Sequence, residues 1–308
     1  MKQYLELLQD IRDNGIGKDD RTGTWVRGIF WMQAKYNLED GFPLVTTKKT
    51  FLRIIIVELI WLLRWETNIK YLVDRNCHIW DEWPFQNYID SNNLSEKFPK
   101  YSQEWMEEKK NFIEKIKNLP ASDDFVKKWW DLWPVYGHQW RNFNSQWVDQ
   151  IANAIEQIKT NPTNRRIIVS AWNPAQIDEM LLPPCHAFFQ FNVDTTHNKL
   201  NLQLYQRSAD MFLWVPFNIA SYSALLMMIA KITGLQPGTF THTLWDAHIY
   251  NNHIDQVNQQ LWNTPHKLPT LNILKDIKTL EDLEALEWED FELLNYTSHE
   301  VIKAPVAV

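Results

Sequence analysis

The sequence predicts an α+β fold, in which a mixed β-sheet packs against helices within one domain spanning residues 1–308. The segment KLNLQLYQRSAD, residues 199–210, alternates apolar and polar residues as a half-buried strand does. The segment PFNIASYSALLMMIAKITG, residues 216–234, is predominantly apolar, is long enough for a buried helix and ends in glycine. Strand-like and helix-like segments follow one another without repeats or a clear linker, which favours one α+β domain.

The remaining segments divide into helices, strands and loops by the same periodicities. Further helices are predicted at residues 2–14, 51–65, 102–119 and 146–162. Further strands are predicted at residues 26–38, 165–174 and 186–194, in the tail 293–308, and in segment 240–261, which passes from strand to helix. Loops are predicted at residues 15–24 and 78–85, and the polar residues at about 86–130 are predicted to form a peripheral, mainly helical insertion.

Composition indicates a globular protein and excludes several classes of function. The 308 residues are 45% hydrophobic and 22% charged, with a net charge of −7. An acidic chain has no broad affinity for nucleic acid or acidic membranes, so neither DNA nor a membrane is an expected partner. Cys77 and Cys185 form no CxxC pair or metal-ligand cluster, so no metal is expected. The N-terminus lacks the apolar core of a signal peptide, which favours a cytoplasmic location.

The stretch LPPCHAFFQF contains a candidate nucleophile, Cys185. Two prolines rigidify the chain before it, and His186 follows. A rigidly held thiol near cationic groups reacts as a thiolate. The alternative is an inert buried cysteine, which is common in folded proteins.

Four arginines adjoin loops and predicted strands, where arginine suits bidentate phosphate binding. They are Arg21, Arg165, Arg166 and Arg207. Surface ion pairing is the alternative for any one of them. Together with a candidate nucleophile in a net acidic chain, the four indicate a single phosphate-sized anion site.

Other polar residues suggest a ligand with adjacent hydrogen-bond donors and acceptors. Asn218 begins the long apolar helix, where its amide is either a helix cap or a reader of a pyrimidine edge. Asp246, His248 and Tyr250 alternate along one predicted strand and so point to one side. Glu58 lies within an apolar helix, so it is either a paired structural acid or a general acid/base with a raised pKa.

Taken together, these segments resemble the folate-dependent thymidylate synthase family over nearly the whole chain. The resemblance runs in order through DDRTGT, GFPLVTTKK, ELIW, IWDEW, PVYGHQWR, RRIIVSAWNP, LPPCHAFFQF, LYQRSAD, VPFNIASY, DAHIYNNH and IKAPVAV. The resemblance implies a thymidylate synthase-like fold whose sheet is used in dimer formation. It also implies a methyltransferase that converts dUMP to dTMP with 5,10-methylenetetrahydrofolate as donor of one carbon and a hydride.

The resemblance further implies a role for each matching residue. Cys185 attacks uracil C6, and Arg207, Ser208 and Arg21 hold the phosphate, with Arg165 and Arg166 reaching across a homodimer interface. Asn218 reads the uracil edge, while His248 and Tyr250 hold the deoxyribose; Gln206 is a further substrate contact. The implied proton-transfer residues are Glu58, Tyr136 and His186. The implied contacts of the reduced folate are Trp80, Trp83, Asp210, Leu213, Ala307 and Val308, with Asp210 also counted as catalytic.

Two alternatives remain open. A pyrimidine hydroxymethylase of the same fold completes its product with water rather than hydride. Its cytosine-specific form is expected to carry an acid at position 218, so Asn218 favours uracil. The second alternative is an inactive homologue retained as a nucleotide- or RNA-binding protein. The acidic balance and the filled catalytic positions argue against that function.

Glycine and tryptophan occur in unusual numbers, 8 and 17. Average usage of glycine gives roughly 22 in a chain of this length. The family pattern has glycine where this chain has Trp25, Trp31, Trp65, Trp133, Trp214 and Trp245, and Trp130 and Trp147 are further candidates. Each replacement costs roughly 1–3 kcal/mol by overpacking. The sequence therefore suggests that the gene uses UGA as a glycine codon that has been translated as tryptophan.

Overall fold

The computed structural model describes residues 1–19 and 23–306. Its helices are α1 (Lys2–Asn14), α2 (Leu52–Leu63), α3 (Lys70–Asp74), α4 (Glu82–Ser91), α5 (Gln103–Asn118), α6 (Asp124–Trp129), α7 (Tyr136–Arg141), α8 (Gln150–Thr160), α9 (Val215–Thr233), α10 (Ile254–Trp262) and α11 (Leu280–Glu284). Its strands are β1 (Ile16–Lys18), β2 (Val26–Asn37), β3 (Ile168–Ser170), β4 (His186–Asp194), β5 (Lys199–Asp210), β6 (Gln236–Tyr250), β7 (Thr270–Ile273) and β8 (Phe291–Leu294).

The larger sheet is mixed, which confirms the predicted fold class. Its strand order is β1-β2-β6-β5-β4-β3, and its pairs are antiparallel except β5 with β6, which are parallel. Strands β7 and β8 form a separate antiparallel pair. The parallel pair needs a crossover, and α9 supplies it between β5 and β6.

The chain groups into two compact units. The first consists of Met1–Ile56, Ile151–Ser170 and Cys185–Val308 and contains both sheets. The second consists of Val57–Gln150 and Ala171–Pro184 and contains the end of α2 and helices α3 to α7. That residues 1–308 form one domain therefore stays a prediction, as does the insertion at about 86–130.

The core of the first unit lies between one face of the large sheet and α9. Alternate residues of β4 and β5 are buried, as the sequence alternation predicts. Tyr222 of α9 packs its ring against Phe189 and Phe240 of the sheet. Helix α9 is apolar enough to cross a membrane by length and composition, but 83% of its most apolar window is buried within the structure. It is the core helix that the sequence predicts.

The second unit has an aromatic core. The rings of Phe85, Trp105 and Phe112 are buried, and Phe85 contacts Trp105 edge-on and Phe112 at a tilt. Ser102 caps α5, because its hydroxyl accepts a hydrogen bond from the Trp105 backbone N–H at 3.1 Å. These contacts hold α4 and α5 together within this unit.

Three sequence-based assignments were wrong in part. The predicted loop 78–85 contains the start of α4, which places Trp83 in the first turn of a helix. The predicted loop 15–24 contains β1, whose three residues pair with β2. The predicted strand in the tail is confined to β8, and residues 295–306 have no regular secondary structure. In these segments tertiary contacts rather than local periodicity decide the conformation.

Candidate active site

The parallel register of β5 and β6 places polar side chains from distant parts of the sequence side by side. Ser208 lies opposite Asp246, and Asp210 lies opposite His248. On the other side of β5, His186 at the start of β4 lies opposite Gln206. Because three adjacent strands contribute, the polar residues of the LPPCH, QRSAD and DAH segments converge at one edge of the sheet.

Cys185 lies immediately before β4 and next to a cation. Its side chain is half-buried, and neither Cys185 nor Cys77 forms a disulfide. The Arg207 guanidinium lies 3.9 Å from Sγ, while the Arg207 backbone N–H donates to the Cys185 carbonyl oxygen at 2.7 Å. The backbone bond fixes the two residues relative to each other. A guanidinium at this distance favours the thiolate form of the cysteine.

A chain of buried hydrogen bonds sets the orientation of Asn218. Nε2 of Gln206 donates to Oδ1 of Asn218 and to the Ser208 carbonyl, each at 3.0 Å. Oε1 of Gln206 can only accept, so Nε2 of His242, 2.7 Å away, is the donor. The chain therefore runs in one direction from His242 through Gln206 to Asn218. It leaves the Asn218 amide with a defined acceptor end and a defined donor end.

Both histidines of this region are held neutral by burial. Burial lowers the pKa of His242 to about 3, with a smaller effect of His186 in the same direction. Burial likewise lowers the pKa of His186 to about 4, although a hydrogen bond with Asn218 opposes the shift. The His186 ring also packs edge-on against Tyr222, with 5.3 Å between centroids. Neutral rings can act as donor and acceptor at once, which a charged imidazolium cannot.

The turn between β5 and α9 is pinned by side chains. Oδ1 of Asp210 accepts hydrogen bonds from the backbone N–H groups of Phe212 and Leu213, both at 3.0 Å. The Tyr4 hydroxyl donates to the Met211 carbonyl at 2.8 Å, and Nζ of Lys48 donates to the Phe212 carbonyl at 2.5 Å. These bonds fix the direction in which α9 and its Asn218 leave the sheet.

Lys48 is a buried cation that the sequence analysis did not select. Its Nζ lies 3.6 Å from the centroid of the Phe212 ring. Burial lowers the pKa of Lys48 to about 8, although the negative charge of Asp210 opposes the shift. A fraction of this amine is therefore neutral near physiological pH. The GFPLVTTKK motif points to the segment but gives no signal that this lysine is buried.

His248 and Tyr250 lie next to each other at the end of β6. Their rings meet edge-on at 5.2 Å, and both side chains are buried. Burial lowers the pKa of His248, but the hydrogen bond to Asp246 and the charges of Asp210 and Asp246 outweigh it, so this pKa lies above its ordinary value. The same hydrogen bond, helped by Lys18 at 2.5 Å, lowers the pKa of Asp246 to about 2.

In the second unit, Glu58 lies among aromatic residues. Its Oε1 accepts a hydrogen bond from Nε1 of Trp80 at 2.7 Å. Burial raises the pKa of this half-buried carboxyl to about 7, and the Trp80 bond opposes the shift. The Trp80 ring lies 5.3 Å from Trp83 and 6.1 Å from Tyr136. The unit thus groups one acid that titrates near neutral pH with three aromatic side chains that the sequence analysis selected.

Other predicted site residues are placed differently. Arg165 and Arg166 are exposed on the segment that leads into β3. Arg21, Ala307 and Val308 lie outside the described residues. The chain just before the last two is anchored, because Nε2 of His253 lies 2.7 Å from the Pro305 carbonyl oxygen.

His242 is a second candidate of this region that the sequence analysis did not select. A lone histidine carries no motif of its own. Its place in the alternation of β6, two residues from buried Phe240 and buried Leu244, is the signal that it faces the core. Among residues 1–19 and 23–306, no group of three or more His, Cys, Asp or Glu side chains could hold a metal ion.

Comparison with known proteins identifies the family. The family model described as thymidylate synthase matches residues 2–308. The chain belongs to the thymidylate synthase family. It is similar over its full length to proteins named thymidylate synthase from Mycoplasma mobile and Malacoplasma penetrans, each 52% identical with all of both chains covered. The protein of that name from Aster yellows witches'-broom phytoplasma is 49% identical, again over all of both chains. These findings confirm the resemblance drawn from the motifs and place the chain among methyltransferases.

We expect that replacing His242 destabilises the protein when the hydrogen-bond donor is lost. His242→Met leaves Oε1 of Gln206 buried without a donor, which costs about 1–3 kcal/mol of the free energy of unfolding. His242→Gln retains an amide donor at similar reach and should lose less. Urea denaturation, with an m-value unchanged from that of the parent protein, measures the free energy of unfolding of both variants. Equal losses for the two would show that the hydrogen bond from His242 to Gln206 does not stabilise the protein.

The raised pKa of Glu58 predicts a pH-dependent stability. Because the folded carboxyl holds its proton up to about pH 7, whereas the unfolded one releases it near pH 4.5, the contribution of Glu58 to the free energy of unfolding should fall as pH rises between these values. The stability of the protein relative to Glu58→Gln should therefore fall over this range. The difference reaches roughly 3 kcal/mol, since a tenfold change in proton affinity corresponds to about 1.4 kcal/mol. Glu58→Gln should remove this dependence in chemical unfolding. The exposed control Glu107→Gln should retain it, and identical pH profiles for all three proteins would contradict the prediction.

Proposed function

We propose that the protein catalyses the reductive methylation of dUMP to dTMP, with 5,10-methylenetetrahydrofolate as donor of the one-carbon unit and of a hydride. The observation that carries this proposal is the contact between Sγ of Cys185 and the Arg207 guanidinium, beside the hydrogen-bonded amides of Gln206 and Asn218. This combination offers a thiolate and a pyrimidine reader at one sheet edge. The full-length similarity to proteins named thymidylate synthase supports it.

The proposed reaction begins with Cys185. Its thiolate forms a bond to C6 of the uracil ring, and the electrons of the C5–C6 double bond move to C5 and O4 as an enolate. C5 then bonds to the methylene carbon of the folate. C5 loses its proton as the folate leaves, and a hydride from the reduced folate ring completes the methyl group. The bond from Sγ to C6 breaks and returns the thiolate, leaving dTMP and dihydrofolate.

Asn218 is proposed to select uracil over cytosine. Uracil presents the O4 acceptor beside the N3–H donor, so it requires an amide with its NH₂ toward O4 and its oxygen toward N3. The bond from Gln206 marks one end of the Asn218 amide as the oxygen. A flipped amide would present the complementary pattern to cytosine, so the directional chain from His242 supports the uracil assignment.

The phosphate and sugar contacts follow from charge and position. Arg207 and Ser208 are proposed to hold the 5′-phosphate together with Arg21, because a guanidinium recognises phosphate oxygens in a bidentate manner. His248 and Tyr250, whose rings touch, are proposed to bind the deoxyribose hydroxyl. Gln206 supports the base through Asn218. The Arg207 guanidinium carries several N–H donors, so it can bind a phosphate while it lies near Sγ of Cys185.

The remaining assignments concern proton transfer and the folate. Glu58, with a pKa of about 7, has the affinity that a residue needs to hold and release a proton near neutral pH. Tyr136 and His186 are proposed as its companions in proton transfer. The proposed folate contacts are Trp80, Trp83, Asp210, Leu213, Ala307 and Val308. Closure of the last two residues over the folate would exclude water from the reactive intermediates.

We further propose that the protein acts as a homodimer through the large sheet. Apolar side chains on several of its strands are exposed, with Phe30 71%, Ile168 44% and Phe188 38% accessible. Large exposed apolar surfaces in a folded protein mark interaction sites. Arg165 and Arg166 are exposed beside β3, from where they are proposed to reach the phosphate of the second subunit.

The hydroxymethylase alternative differs only in whether water or hydride completes the product, so product identification separates the two. The cytoplasmic location also stays a prediction.

Replacing the nucleophile tests the proposed reaction. Cys185→Ala should abolish dTMP formation, with a loss of at least about 10³-fold, because the covalent step is impossible without the thiolate. Binding of dUMP, measured by calorimetry, should survive. Cys77→Ala removes the other cysteine and should retain activity. Turnover by Cys185→Ala would refute the nucleophile assignment.

Mixing inactive variants tests the shared site. Cys185→Ala and Arg166→Ala should each be inactive alone, whereas subunit exchange between them should restore dTMP formation. One site of the hybrid dimer then combines an intact cysteine with arginines from the partner. A mixture of Cys185→Ala with Arg207→Ala should stay inactive, because Arg207 serves the site of its own chain. Failure of the first mixture despite measured exchange would refute the shared site.

A further inference from the structure

We infer that the cells which make this protein place glycine at positions 31, 65 and 147, because a glycine-charged transfer RNA decodes UGA in its messenger RNA. The observations behind this inference are the backbone angles of three tryptophans and the helix-end hydrogen bonds around one of them.

Three tryptophans have a left-handed backbone. The φ angle is 71° at Trp31, 63° at Trp65 and 59° at Trp147. A side chain with a Cβ atom clashes with the following carbonyl oxygen in this region, and a bulky residue there is a rare outlier. Glycine has no Cβ and adopts these angles without strain. Asparagine is the common substitute, and five of the other described non-glycine residues with positive φ are asparagines.

Trp65 occupies the glycine position of a helix end. After α2, the N–H of Trp65 donates to the Leu62 carbonyl, and the N–H of Glu66 donates to the Trp61 carbonyl. This pair of bonds defines the Schellman motif, whose left-handed residue is usually glycine. The motif is complete at this helix end, so the backbone there is specified by its own hydrogen bonds.

The same motif recurs within this chain with the residues it normally carries. At the end of α9, Gly234 and the residue after it make the equivalent two bonds, and the φ angle of Gly234 is 72°. The ends of α3 and α4 repeat the pattern with Asn76 and Asn93. Four helices therefore share one ending. Only Trp65 among these four has neither the missing Cβ of glycine nor the short polar side chain of asparagine.

Trp31 interrupts an otherwise continuous strand pair. Strand β2 pairs with β6 from Val26 to Asn37 at every position except Trp31, which stands opposite Trp245. The side chains of Phe30 and Trp31 are both exposed, at 71% and 60%, so the alternation of β2 fails at this point. Glycine in a strand commonly marks such local irregularities.

Trp147 closes a tight turn between Phe143 and Val148. Two residues of that turn, Asn144 and Ser145, also have positive φ. Phe143 donates its N–H to the Val148 carbonyl at 3.0 Å, so the chain must reverse within four residues. Burial does not compensate for the strain at Trp147, because its side chain is 78% exposed.

The codon assignment follows from composition and from base pairing. The chain contains 8 glycines and 17 tryptophans. UGA differs from the glycine codon GGA by one base, so one anticodon change lets a glycine transfer RNA read it. Translation of such a gene with UGA as tryptophan replaces glycine by tryptophan at scattered positions. The other tryptophans at positions where the family has glycine do not have a left-handed backbone. Trp130, for example, has a φ angle of −114°, and Trp214 has one of −95°. The inference is therefore confined to positions 31, 65 and 147.

The deciding experiment determines the codons of the gene and the amino acids of the protein at these three positions. The gene should carry TGA at codons 31, 65 and 147. Tandem mass spectrometry of the protein isolated from its own cells should show glycine in the three corresponding peptides. A TGG codon or a tryptophan-containing peptide at any of the three positions would overturn the inference. Neither measurement requires an active enzyme, so the outcome is independent of the proposed function.

A stability comparison provides a second test. Trp147→Gly in the tryptophan-containing chain should raise the melting temperature by roughly 2–4 °C, because it removes left-handed strain. Trp262→Gly is the matched control, since Trp262 is 86% exposed but lies in α10. That control should lower the melting temperature, because glycine weakens a helix. A fall in both variants would contradict the inference at position 147.

Discussion

The parallel pairing of β5 with β6 is the constraint on which the arrangement of the candidate site depends. These strands are separated in sequence by α9, yet their register sets Ser208 beside Asp246 and Asp210 beside His248. A slip of one residue would turn every one of these side chains to the other face of the sheet. The pinned turn after Asp210 extends this control to α9. The position of Asn218 thus depends on a sheet register rather than on local sequence.

Loss of hydration is the main electrostatic influence on the buried titratable groups of each unit. It keeps His186 and His242 neutral, and it brings the pKa values of Glu58 and Lys48 to about 7 and about 8. Charge is retained where partners are close, as for Asp246 beside His248. The groups of the chain from His242 through Gln206 to Asn218 are therefore uncharged and hydrogen-bonded, whereas the Arg207 guanidinium lies beside the Cys185 thiol. One sheet edge can in this way serve both recognition and chemistry.

Much of the fold follows from the sequence, but the contacts that define the site do not. The alternation in β5 predicts a strand and the apolar segment of α9 predicts a buried helix, because each segment is long enough to show its pattern. The start of α4 at Glu82 was not, since an aromatic-rich segment gives no clear period. Motif resemblance selected Gln206 and Asn218 but gave no orientation for their amides. His242 was not selected, because its hydrogen bond to Gln206 arises only when strands that are distant in sequence pair.

The position of Trp31 near the middle of β2 has a consequence for the movement of the gene between species. If codon 31 is UGA, a recipient that terminates at UGA releases a peptide whose second strand is cut short before it can pair with β6. A recipient that inserts tryptophan completes the chain but places an indole on a left-handed backbone. Truncation is the barrier in the first recipient, and left-handed strain at position 31 is the barrier in the second. Both effects would confine a working copy of this gene to lineages that share its decoding.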